Sequence, residues 1–221
     1  MNSLIYLCVL ILSMITIYLT RKFFGKLGLT ITFITMSSIS LLLAFKYVTI
    51  STINLNSNCI PYVTMFTSLY LLLETTSKRE AKELANLNFI VNIFMSLMLY
   101  IMTYYTQSLT DTISINMKNV FEVNYKILII YPITTLLSNY LLIWTYEKIR
   151  KLYDNSFITT VTTYLLIGII EGILYTLFVY DKILNYKTII LIILSTYMIR
   201  LIITIIYSIF LTLLSKKKVN S

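Results

Sequence analysis

Two stretches decide the fold. Thr188–Leu214, TIILIILSTYMIRLIITIIYSIFLTLL, holds one charged residue, Arg200, and Phe157–Tyr180, FITTVTTYLLIGIIEGILYTLFVY, holds one, Glu171. Each is longer than the ~20 apolar residues that a helix needs to cross a bilayer core. A charge at the centre of such a helix costs at least ~2.5 kcal/mol on insertion scales, so each asks for a partner and a purpose.

Working outward, further apolar runs lie at 3–20, 27–45, 57–73, 84–107 and 125–146. With 157–180 and 188–214 they make six to seven spans. Barrel strands would alternate polar and apolar residues over about ten positions, so continuous runs predict an all-α, polytopic membrane bundle. The run 57–73 is the shortest and carries Pro61 near its start, which leaves a full crossing and a broken or re-entrant helix both open. Residues 47–58 are the softest boundary, and the asparagines at 54, 56 and 58 read as compositional bias. Pro and Gly are too rare to mark a linker, so the chain reads as one membrane domain over 1–221.

Composition agrees. The chain is 58% hydrophobic and 12% charged, with mean hydropathy +0.83. The net charge of +9 sits in short clusters between spans rather than along one face, which argues for orientation in a membrane and against nucleic acid. Arg21, Lys22 and Lys26 follow the first span, Lys78, Arg79 and Lys82 the third, Lys148, Arg150 and Lys151 the fifth, and Lys216, Lys217 and Lys218 the seventh. The other side keeps Lys46, Lys118, Lys126, Lys182 and Lys187, partly offset by Asp111, Glu122 and Asp181. The positive-inside rule then places the N-terminus outside and the C-terminus in the cytoplasm. The first run lacks a basic n-region and reads as a retained span rather than a cleaved signal. The cluster Ser77 to Glu83 reads as a solvated cytoplasmic turn.

Catalytic chemistry finds little support. Histidine is absent, Cys8 and Cys59 are too few for a disulfide framework or a metal site, and no phosphate loop, GxSxG, HExxH or CxxC occurs. The expectation is a non-enzymatic protein without cofactor or metal, with the lipid bilayer and a small-molecule substrate as partners and room for a homo-oligomer. Glu171 and Arg200 lie roughly 14 and 18 Å from the outer ends of consecutive antiparallel spans, so they can meet near the midplane. Such a pair either only fixes helix register or lines a polar cavity. Glu74 and Lys46 close spans near opposite faces, where either can snorkel to an interface. Ser138, Asn139, Thr159, Thr160, Thr162 and Thr163 read first as helix-packing residues.

Several segments, read together, carry a resemblance: Arg21-Lys22-Phe23-Phe24-Gly25-Lys26-Leu27-Gly28-Leu29, Lys46, Phe66, Glu74 with Lys78-Arg79-Glu80-Ala81, Leu137-Ser138-Asn139, Trp144, Ile170-Glu171-Gly172-Ile173-Leu174-Tyr175 and Ser195-Thr196-Tyr197-Met198-Ile199-Arg200. Their order resembles the queuosine precursor transporter family, also called the vitamin uptake transporter family, over nearly the whole chain. The resemblance implies a multi-pass bacterial inner-membrane protein that imports a 7-deazaguanine such as preQ0 or preQ1. It implies a substrate site drawn from Lys46, Glu74, Asn139, Glu171 and Arg200, which stand at the family's polar positions. Tyr70, Leu142, Gly168 and Tyr207 stand where the family carries polar or acidic groups, which predicts a changed or broadened ligand. A planar deazapurine wants carboxylates or amides, a donor for its carbonyl, and aromatic faces. Glu74, Asn139, Glu171 and Arg200 meet the first two needs, and Tyr70, Tyr164, Tyr175 and Tyr207 the third. Alternatives are a substrate-binding subunit that needs a partner ATPase, and a degenerate family member with a structural role.

Overall fold

The computed structural model describes residues 2–50, 53–105, 114–152, 156–180 and 184–216, and it is a helical membrane bundle. In chain order the elements are α1 (Asn2–Leu43), β1 (Tyr47–Ile50), β2 (Ile53–Asn56), α2 (Cys59–Leu73), α3 (Lys78–Met102), α4 (Ser114–Val123), α5 (Tyr125–Leu152), α6 (Ser156–Tyr180) and α7 (Tyr186–Lys216). Among the described residues, five helices are long and apolar enough to cross a bilayer, and α2 is a shorter apolar one. Helix faces are inverted relative to a water-soluble protein. Ile90, Phe178 and Met198 point outward while Ser37, Asn88, Asn92 and Asn139 are fully buried.

Helix α1 contains two spans. At Gly25 the backbone turns to φ 54, ψ −126, a conformation that resists any side chain. Thr32 then donates to Thr20 Oγ1 at 2.9 Å, whereas a straight helix would hold those residues ~18 Å apart. The arms 2–24 and 26–43 are therefore antiparallel, so α1 accounts for the first two of the apolar segments expected. At Gly28 a Cβ would overlap the Thr20 carbonyl, which is how closely the arms approach.

The basic clusters behind the first, third and fifth spans gather at one end. There Arg21 lies 3.8 Å from Glu74, Lys26 2.9 Å from Glu80, and Lys78 2.7 Å from Glu147. Exposed pairs of this kind contribute about 0–1 kcal/mol each, so they record the alternation of spans rather than hold the bundle together. That this end is cytoplasmic rests on the positive-inside rule alone. Asp111, Asp181, Lys182, Lys217, Lys218 and the end of the 84–107 run lie outside the described residues. Ser77 and Glu80, expected in a loop, instead start a helix. Ser77 Oγ accepts from the Glu80 N–H at 3.3 Å, so α3 begins at Lys78 with its acid in the first turn.

Helix α2 is the axis of the bundle, with every residue buried. Pro61 falls in its first turn, where a missing N–H costs little, so the helix is continuous. It is only ~22 Å long, short of the ~30 Å apolar core. The remaining depth is taken up by an antiparallel β-hairpin that the sequence reading did not anticipate, pairing Tyr47 with Asn56 and Val48 with Leu55. Two of the asparagines read as compositional bias, Asn56 and Asn58, fasten its base. Asn56 Nδ2 donates to the Ala44 carbonyl at 2.8 Å, and the Asn58 N–H donates to Asn56 Oδ1 at 3.0 Å. Ser57 N–H closes the base on the Lys46 carbonyl at 2.9 Å. Hydroxyls within the spans mostly bond back into their own helix: Thr64 donates to the Ile60 carbonyl at 2.7 Å and Thr67 to Val63 at 2.8 Å. That is how apolar helices carry so many threonines, although the hydroxyls of Thr135 and Thr163 find no partner among the described residues.

Candidate functional site at a buried ion pair

Helices α6 and α7 pack side by side, and their two lone charges meet. Arg200 Nη1 donates to Glu171 Oε2, with the two side chains 7% and 2% exposed. The guanidinium lies over the ring of Tyr62, 4.0 Å from its centroid, so the first turn of α2 supplies a cation–π face. Cys59, fully buried one turn away, sits beside Arg200. Attraction between the charges roughly offsets the cost of desolvating them. Stability alone is therefore a weak reason for the pair.

Between the pair and the hairpin is a cavity of about 10 Å³, lined by Tyr47, Asn56, Asn58, Tyr175, Glu171 and Arg200 among others. That is room for about one water molecule. Among the described residues, three groups around it have no hydrogen-bond partner: Arg200 Nε, Asn58 Oδ1 and the Tyr175 hydroxyl. A buried polar group left unpaired costs ~1–3 kcal/mol, so one donor, one acceptor and one hydroxyl converge here unmet. Gly172, also in the lining, has open space where a Cβ would stand.

The other candidate residues lie elsewhere. Glu74 caps α2 at the basic end beside Arg21, ~18 Å along α2 from Tyr62. Lys46 is exposed at the base of the hairpin. Tyr70 packs edge-on against Tyr146, with ring centroids 5.1 Å apart. The Tyr207 hydroxyl is 2.5 Å from Ser13 Oγ and 2.7 Å from Thr64 Oγ1, joining α1, α2 and α7 two turns below Arg200. Tyr164 donates to Thr67 Oγ1 at 3.2 Å. Asn139 is buried on α5 with both side-chain polar atoms unpaired among the described residues, ~21 Å along α5 from Tyr125, as Arg200 is along α7 from Tyr186. Glu171, Arg200 and Tyr175 are thus brought to one cavity, while Tyr207, Tyr164 and Tyr70 form a column down α2 toward Glu74. Tyr62, Asn58, Asn56 and Tyr47 were not anticipated as site residues. Asn58 had a signal in the polar cluster ahead of Pro61, whereas Tyr62 had none.

Tyr207 reads from this geometry as a strut. Tyr207→Phe is expected to lower stability by about 1–2 kcal/mol, the worth of its buried hydroxyl contacts, measurable as a reduced melting temperature of the purified protein. No family model, no curated protein and no solved structure matches this chain.

Proposed function

We propose that this bundle takes up a small polar solute across a bacterial inner membrane, and that the solute is a 7-deazaguanine precursor of queuosine. The observation that carries the transport reading is the Glu171–Arg200 pair, buried at mid-bundle beside unpaired polar groups. An ionisable residue inside the membrane is a functional-site candidate by default, and a buried ion pair is weak evidence of a stabilising device. The cavity of about 10 Å³ is well below the ~300 Å³ of an ordinary small-molecule pocket. The conformation is therefore a closed one, and a solute enters only after the helices or the hairpin part. The aromatic and hydroxyl column from Tyr62 through Tyr164 and Tyr207 to Tyr70 continues along α2 toward the basic end. The deazaguanine assignment rests on the family resemblance of the segments around Gly25, Glu74, Glu171 and Arg200.

The test is genetic. A strain lacking both queuosine precursor synthesis and its own importer, fed low preQ0 or preQ1, is expected to regain queuosine in tRNA when this chain is expressed. Absence of rescue with the protein present in the membrane would overturn the substrate assignment.

A further inference from the structure

We propose that a cluster of neutral oxygens between the second arm of α1, α3 and α5 binds a monovalent cation of the sodium class, and that this cation couples to the solute at Glu171 and Arg200. The coupling rests on the transport reading above, whereas the cation site stands without it.

The cluster is built from three helices. Asn88 and Asn92, one turn apart on α3, both donate to the same atom of α1, Ser37 Oγ, at 3.1 and 2.8 Å. From α5, the Tyr131 hydroxyl donates to the Ser37 carbonyl at 3.1 Å and stands beside Ser40 and Thr135. Ser37, Ser40, Asn88 and Asn92 are wholly buried, and Tyr131 and Thr135 nearly so. Among the described residues, four oxygens of the cluster have no hydrogen-bond partner: Asn88 Oδ1, Asn92 Oδ1, Ser40 Oγ and Thr135 Oγ1. Asn92 and Thr135 each lie ~15 Å from the outer ends of their helices, and Glu171 lies ~14 Å from Tyr180. The cluster is therefore at the depth of the ion pair.

Helix packing alone explains it poorly. Asparagine and serine often join membrane helices, but such a joint matches each donor with an acceptor. Here both carboxamide nitrogens are spent on one hydroxyl, and both carboxamide oxygens are left over. The hydroxyls also break a local habit. Thr134 donates back to the Ile130 carbonyl at 3.0 Å and Ser38 to Ile34 at 3.2 Å, whereas Thr135 and Ser40 beside them do not. Buried oxygens left unmet are costly, so four together ask for a ligand that binds oxygen.

The ligand class follows from these atoms. All four are oxygens, which a cation satisfies together and a hydrogen-bonding solute only one at a time. The cluster holds no carboxylate, imidazole or thiolate, so it suits neither calcium nor a transition metal. Neutral oxygens do suffice for a singly charged ion, as they do in the carbonyl rings of ion filters and the unwound helices of transporters. Complete burial of the asparagines and serines favours the smaller ion, sodium over potassium. One aromatic contact links the two sites. The Tyr131 ring meets the Tyr175 ring edge-on with centroids 6.5 Å apart, and Tyr175 lines the Glu171–Arg200 cavity.

The test begins with binding. Full-length protein is purified in detergent and choline chloride, and thermal unfolding is followed as sodium or potassium replaces choline at constant ionic strength. Sodium is expected to raise the melting temperature saturably and potassium to raise it less, because a ligand of the folded state alone stabilises it. Thr135→Val and, separately, Ser40→Ala remove hydroxyls that have no protein partner, so both are expected to fold as the parent does in choline. Each is expected to raise the half-saturating sodium concentration about tenfold, the loss of one oxygen contact to a charge. Equal curves in the three salts would reduce the cluster to packing or water and overturn the cation site. A sodium effect that neither variant weakens overturns its placement. In the rescue strain described above, recovery of queuosine is expected to depend on external sodium and to need more of it with Thr135→Val. Rescue indifferent to sodium overturns the coupling. Sodium-dependent unfolding without rescue in any medium would instead sink the transport reading and leave the cation site standing.

Discussion

Glu171→Gln is expected to destabilise the bundle by about 3–5 kcal/mol and to abolish uptake, because it strands the Arg200 guanidinium in an apolar interior with no way to shed its charge. Arg200→Met is expected to be milder, since a lone Glu171 carboxyl can take up a proton and become neutral. The double variant should recover most of the stability, because two neutral side chains of similar length fill the same space. Thermal unfolding of the four proteins in one detergent forms the double-mutant cycle, and uptake measured in parallel separates the two roles. Strict additivity of the single effects would rule out the contact. Recovery of stability together with uptake would reduce the pair to a device for helix register.

The second large effect is expected at the bend of α1. A side chain at Gly28 must displace the Thr20 carbonyl and Phe24 Cβ, neither of which is a flexible side-chain end. Gly28→Leu is therefore expected to force the arms apart and to leave little folded protein in the membrane, at a cost of 3 kcal/mol or more by analogy with overpacked cores, for which ~1–3 is typical. Gly25→Ala meets open space but keeps the positive φ, so it should cost only ~1–3 kcal/mol. Folded yield by fluorescence-detected gel filtration ranks the two. If Gly25→Ala proves the more damaging, the arms do not pack as described.

Much of this architecture was legible, and the reasons are specific. Apolar runs declare spans because lipid admits few alternatives, and a charge in such a run announces itself against a featureless background. Depth is linear in sequence, so the levels of Glu171 and Arg200 followed from counting residues. Azimuth is not. Whether Tyr70 and Tyr207 face a cavity or a neighbouring helix depends on packing, and both turn out to be engaged, with Tyr146 and with Ser13 and Thr64. The hairpin was hidden because strands as short as Tyr47–Ile50 and Ile53–Asn56 offer too few alternations to register as a pattern. Its fastening asparagines resembled mere composition. Asn58 and Tyr62 joined the site only because α2 begins deep in the bundle, which no count along the chain reveals.

The central position of α2 bears on how the protein is made. A helix of ~22 Å that shows no face to lipid gains little from entering the bilayer alone. Its favourable surroundings are the side chains of α1, α5 and α7, and the last two are synthesised after it. The packing around α2 is therefore completed only once α5 and α7 are in the membrane.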